Sequence, residues 1–215
     1  MGTSLDDPTG CAPFYRTRTL SDRAMPRRNV LIAAVAVVVV LVIGITQLGG
    51  TSGGGGGGKA PTRSEAQKRL AGSPAKLDAL HRDADALLPG KDLQARIAAL
   101  KGYPIVLNVW GSWCVPCRQE FPVFQRVSVD VGKRVAFVGI VTQDPTTESR
   151  KFLAAHPVTY PSYQDFDGAL AKSFGLLGTP STIFYDAAGH KRFLHQGPFR
   201  KDADLLKAIQ RYTGA

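Results

Sequence analysis

The segment Trp113-Cys114-Val115-Pro116-Cys117 sets two thiols two residues apart, the spacing at which cysteines close into a disulfide and reopen. The chemistry open to such a pair is thiol–disulfide exchange, in which one thiolate attacks a disulfide sulfur and the second thiol resolves the mixed disulfide. Two other uses fit poorly. A zinc site needs two further soft ligands, but Cys11 lies far upstream and His81, His156, His190 and His195 form no pair at ligand spacing, so no metal is expected. A bracing disulfide over so short a loop removes little entropy from the unfolded chain.

Exchange chemistry needs a rigid mount, and the flanking residues supply one. Pro104-Ile105-Val106-Leu107-Asn108-Val109-Trp110 is apolar and β-branched, which predicts a buried strand ending just before the cysteines. Pro116 fits a first helical turn, where no backbone N–H is needed, and Phe121, Phe124 and Val127 then supply an apolar helix face. Both sulfurs thus sit at the positive end of a helix dipole, which favours thiolate. Cys114, at the extreme end, is expected to be the more exposed and more activated.

The rest of the chain reads as alternating elements. Leu77, Leu80, Ala84, Leu87 and Leu88 fall at helical spacing, as do Leu93, Ile97 and Leu100, with Pro89-Gly90 between, predicting two helices before the first strand. After the cysteine helix come a strand over 134–141, helices over 147–155 and 168–174, two tightly joined strands over 181–186 and 191–195, and a closing amphipathic helix over 203–212. The expected fold class is α/β, a mixed central sheet flanked by helices. No internal repeat is present.

Upstream, no charged residue occurs from Asn29 to Gly58, and Val30 to Leu48 is almost wholly apolar. Nineteen residues at helical rise span about 28 Å, a bilayer's hydrocarbon thickness. Arg16, Arg18, Arg23, Arg27 and Arg28 crowd the N-terminal flank, so the positive-inside rule predicts a cytoplasmic N-terminus and an exported remainder. No small-x-small site ending in Ala follows Leu48, which favours a retained anchor over a cleaved signal. The predicted organisation is a short basic cytoplasmic N-terminus (1–28), a single transmembrane signal anchor (29–48), a flexible Gly-rich linker (49–63) and an exported domain (64–215) with a helical extension over 64–101. Cys114 and Cys117 would then be the only exported cysteines, in a compartment where a disulfide persists.

Leu107-Asn108-Val109-Trp110-Gly111-Ser112-Trp113-Cys114-Val115-Pro116-Cys117-Arg118-Gln119-Glu120-Phe121-Pro122, with Gly178-Thr179-Pro180-Ser181-Thr182-Ile183-Phe184 downstream, resembles the thioredoxin superfamily, and within it the membrane-tethered TlpA/ResA-like thiol–disulfide oxidoreductases. The resemblance covers about Pro104 to the C-terminus and implies a thioredoxin-like fold. It implies that Cys114 attacks and Cys117 resolves. It also implies that Thr179-Pro180 is a cis-proline site which leaves backbone groups free for a substrate strand. Glu120, one turn past Cys117, matches an acid that tunes the cysteines; a solvated helical glutamate is the plain alternative. Trp113 matches a flat apolar surface beside the sulfur, with core packing as its alternative. Pro122 matches a kink proline. Asn108 stands where thioredoxin carries a buried Asp, so no proton relay from that position is implied. The region before Pro104 departs from the group, which usually carries a β-hairpin there.

The function expected first is an exported reductase of protein disulfides, including the haem-binding cysteines of apocytochrome c, fed by a transmembrane thiol electron donor. An oxidase that inserts disulfides uses the same residues; potentials of about −270 and −120 mV bracket such enzymes, a gap of roughly 7 kcal/mol. A copper(I) metallochaperone is a third reading, although the only methionines, Met1 and Met25, precede the apolar segment. No thiol stands in a peroxidatic context. No cofactor beyond the redox-active disulfide is expected, and the protein is expected to be a monomer. The net charge is +10, and residues beyond position 28 carry 22 basic and 14 acidic side chains. No basic-aromatic array accompanies that charge, which argues for anionic lipid headgroups and against nucleic acid.

Overall fold

A computed structural model of the chain describes residues 58–215. The predicted anchor over 29–48 and most of the linker lie outside the described residues. Among the described residues no helix is long and apolar enough to cross a membrane.

The elements in chain order are α1 (Arg63–Leu70), α2 (Ala75–Arg82), β1 (Leu87–Pro89), a 3-10 turn (Gly90–Asp92), α3 (Leu93–Ala99), β2 (Ile105–Trp110), α4 (Val115–Val131), β3 (Ala136–Thr142), α5 (Thr146–Ala155), β4 (Ser162–Asp165), α6 (Ala169–Ser173), β5 (Ser181–Tyr185), β6 (Lys191–Gln196) and α7 (Asp202–Thr213). They build one mixed six-stranded sheet in the order β1-β4-β3-β2-β5-β6. The strands from β1 to β2 pair in parallel, whereas β5 is antiparallel to both β2 and β6. The predicted hairpin of β5 and β6 is therefore present.

Every residue of β2, β3 and β5 is buried, as two covered faces require. Alternation divides them. Val106 and Trp110 of β2, Phe137 and Val141 of β3 and Phe184 of β5 face one core with Phe121, Phe124 and Val127 of α4 and Leu205 and Ile209 of α7. Leu107, Val109, Val138, Ile140 and Ile183 face the other, with Leu77 and Leu80 of α2 and Leu93 of α3.

Two departures from the sequence reading lie near the N-terminal end. Leu87 and Leu88 are strand rather than helix: α2 stops at Arg82, Asp85 turns the chain at φ 60°, and Leu87 pairs with Ser162. The Asp85 carboxylate holds that turn by accepting from the Val158 N–H and from Arg63. The helix α1 is an addition that apolar spacing does not mark, since it buries only Ala66 and Leu70; it is specified by a capping box between Thr62 and Glu65. The strand β4, of sequence Ser-Tyr-Gln-Asp, has no apolar run to announce it.

Candidate active site

The strand β2 ends at Trp110, and a short loop then carries Gly111, Ser112 and Trp113 to Cys114 at the N-cap of α4. The buried carboxylate of Asp144, at the C-terminal end of β3, fixes this loop. It accepts from the Ser112 N–H at 2.6 Å and from the Ser112 hydroxyl at 2.9 Å. Trp110 is fixed as well, because its Nε1–H donates to Ser162 Oγ at 3.0 Å across Gly139, where a Cβ would collide with that hydroxyl.

Cys114 and Cys117 form a disulfide. The Cys114 sulfur turns inward and accepts from the Cys117 N–H at 3.2 Å, one of the amides that α4 leaves unpaired at its start. Cys114 is thus more buried than its terminal position suggests, at 3 % exposure against 0 % for Cys117. What stands out to solvent is its apolar rim: Trp113 at 54 %, Val115 at 62 % and, ahead of the proline loop, Leu177 at 93 %. For Trp113 this rules out the core-packing alternative. Its indole folds back over Gly111, where an added Cβ would lie 2.7 Å from the indole nitrogen.

The Thr179-Pro180 bond is cis. Ser181 pairs with Val109, so one further step of register sets Pro180 beside Trp110, at the end of the strand that leads to the cysteines. The Pro180 carbonyl accepts from the Gly197 N–H, while the Thr179 backbone makes no backbone hydrogen bond among the described residues.

Glu120 is fully buried, which excludes the solvated alternative. Its Oε1 accepts from the Asn108 amide at 2.8 Å and its Oε2 from the Phe199 N–H at 3.1 Å. Burial outweighs both bonds and pushes its carboxyl up to about 8, so it holds a proton at neutral pH. Tyr160 also senses it: burial first, then the Glu120 and Asp85 charges, keep the phenol neutral far into the alkaline range. Asn108, Asp144 and Phe199 are the participants that sequence reasoning does not assign. Only Asn108 carries a sequence signal, as a polar residue inside an apolar strand. A cavity of about 320 Å³ elsewhere takes Gln125 and Val129 from α4 and no site residue.

These parts, a disulfide at a helix N-terminus, a buried proton-bearing carboxyl one turn behind it and a cis-proline just ahead of the neighbouring strand, can cycle between disulfide and dithiol, exchanging two electrons and two protons with a partner's dithiol or disulfide. Comparison with known proteins agrees with this chemistry. Over 93 residues the chain is 38 % identical to the thiol:disulfide interchange protein DsbE of Pseudomonas fluorescens biotype C, a match covering 43 % of this chain and 51 % of that protein. Over 130 residues it is 31 % identical to the thiol:disulfide interchange protein DsbE of Yersinia pestis, covering 59 % and 67 %. Over 104 residues it is 28 % identical to the thioredoxin-like protein YneN of Bacillus subtilis (strain 168), covering 47 % and 61 %. The chain therefore spans between half and two thirds of the length of these relatives. The AhpC/TSA family model matches residues 84–193, which run from the turn before β1 into β6 and include both cysteines, Glu120 and Pro180. With more than half of its length matched and a mixed sheet whose strand β2 leads to the disulfide at the start of α4, the chain belongs to the AhpC/TSA family of thioredoxin-like proteins.

Proposed function

We propose that the protein is a membrane-tethered, exported thiol–disulfide oxidoreductase that reduces protein disulfides through Cys114 and Cys117. In the reduced protein, Cys114 thiolate attacks one sulfur of a substrate disulfide, displacing the other as a thiolate that takes a proton. Cys117, deprotonated in turn, attacks Cys114 and releases the second substrate thiol. Trp113, Thr179 and Pro180 form the surface on which the substrate strand lies, and a transmembrane thiol protein regenerates the dithiol.

The observation that supports the reducing direction is the burial of Glu120. A strong oxidant of this kind owes its potential to a stabilised reduced form, hence to a cheap thiolate. A fully buried carboxyl one turn from Cys117 works against that, because a thiolate nearby disfavours its ionisation and its ionised form disfavours the thiolate. The names of the relatives support exchange chemistry and are silent on its direction. For the substrate, disulfide-bonded C-x-x-C-H haem-attachment segments fit an exported reductase.

The test is the equilibrium reduction potential of the full chain against a dithiothreitol couple, with Cys114→Ala as control. A value at or below about −250 mV is expected, and one above about −150 mV would mark an oxidant. Tight copper(I) binding without exchange would replace both readings with a metallochaperone. Faster reduction of an oxidised C-x-x-C-H peptide than of an unrelated disulfide would fix the substrate class.

A further inference from the structure

Glu120 and Cys117 are both wholly buried, yet every turnover has to move a proton past them. Asn108, whose amide donates to Glu120, pairs directly with Thr182 across the antiparallel β2/β5 ladder, and Thr182 pairs directly with His195 on β6. Directly opposed residues lie on the same sheet face, here the one under α4 and α7. The three side chains therefore form a polar row through an otherwise apolar core, running from the buried carboxyl to the sheet's edge strand. Asn108 and Thr182 are both 0 % exposed, and Asn108 Oδ1 and Thr182 Oγ1 have no hydrogen-bond partner among the described residues. Native interiors leave few such atoms, and two on adjacent strands beside a buried acid call for an explanation. At the far end His195 is half-buried, and its ring stacks on Phe199 at 4.2 Å, the residue whose N–H holds Glu120.

We propose that Asn108, Thr182 and His195 are the proton route of the active site, with a water molecule held between Asn108 Oδ1 and Thr182 Oγ1 linking Glu120 to His195 and so to solvent. The inference rests on the exchange reading above. Glu120 holds a proton at pH 7, so before resolution it gives that proton out along the row, and the carboxylate so formed takes the proton of Cys117–SH. The Cys117 thiolate then attacks the Cys114 sulfur, the mixed disulfide breaks, and the substrate sulfur leaves as a thiolate that is protonated from solvent. The outgoing proton passes to the water, through the Thr182 hydroxyl, across the β5/β6 pair to the His195 imidazole and out, and the proton from Cys117 leaves Glu120 neutral again. Asn108 orients the water and the carboxyl but transfers nothing itself. His195 suits the last step, since burial lowers its affinity for protons and leaves it neutral and ready to accept at pH 7. Tyr160, the other titratable group that senses Glu120, stays protonated and takes no part.

The experiment follows resolution of the mixed disulfide by stopped flow at pH 7, using the full chain and a small oxidised peptide. Thr182→Val keeps the shape and removes the hydroxyl; His195→Ala opens the outer end. Both should slow resolution, by about tenfold and about fivefold. Added imidazole should restore His195→Ala and leave Thr182→Val slow, while the equilibrium reduction potential of each matches wild type, since a route changes rates and not end states. Wild-type rates in both variants, or a slowed His195→Ala that imidazole cannot restore, would overturn the route while the exchange reading stands. A wild-type chain that exchanges no disulfide at all would overturn both.

Discussion

Glu120 carries a cost that the fold can be asked to display. Its carboxyl titrates near 8 in the folded chain, against an ordinary value of 4.5. Between those two values the folded state holds a proton that the unfolded state has released, so the contribution of this group to stability is complete below pH 4.5 and is lost as the pH rises through 8. In energy the loss is of order 5 kcal/mol. Urea unfolding across that window should show wild type weakening relative to Glu120→Gln, which has nothing to ionise; parallel profiles would mean that the carboxyl is solvated. The same variant should bring thiolate absorbance of the reduced protein to a lower pH, by about one unit, because the charge opposing Cys114 is gone. The place of Glu120 on the face of Cys117 was legible from a spacing of three on a helix. Its burial was not, because the groups that enclose it come from Asn108, 12 residues before it, and from Phe199, 79 residues after it.

The elements divide in the same way between local and distant causes. Strands β2, β3 and β5 announce themselves as β-branched apolar runs, and α4 as a proline-started helix with a regular apolar face, so most of what carries the cysteines could be read in advance. The strands β1 and β4 could not: the two leucines of β1 fit helical spacing as well, β4 has no apolar run of its own, and each is a short segment held extended by its partner. Two clamps between elements were equally invisible. Asp144 ties the cysteine loop to the end of β3, and removing it as Asp144→Ala deprives Ser112 of a charged acceptor; a loss of about 1–3 kcal/mol in urea unfolding is expected, with a more mobile Trp113 in fluorescence anisotropy. Arg126 of α4 grips Asp202 of α7 through two bonds of 2.8 Å, with both side chains 16 % exposed. That pair anchors the first turn of α7 far from the sulfurs. Asp202→Ala should therefore cost about 1–3 kcal/mol of stability without moving the reduction potential, whereas a shift in potential would tie the docking of α7 to the active site.

At the scale of the molecule, the family match begins at residue 84, and α1 and α2 lie ahead of it. Still further upstream lie the basic N-terminus, the apolar segment and the glycines, whose reading rests on sequence alone. It has a sharp consequence nonetheless. A cytoplasmic N-terminus and an exported domain put Cys11 on one side of the membrane and the catalytic pair on the other. The catalytic cysteines are too buried to report their own side, but Leu177 is 93 % exposed and close to the proline loop. In a chain carrying Cys114→Ser, Cys117→Ser and Leu177→Cys, a membrane-impermeant maleimide added to intact cells should label position 177 and spare Cys11, which becomes reactive only after lysis. Adding Cys11→Ser should leave the outside signal unchanged. Labelling that appears only after lysis would place the domain in the cytoplasm. There the glutathione and thioredoxin pools keep thiols reduced, so an electron donor spanning the membrane would lose its purpose and the case for a dedicated exported reductase would fall with it.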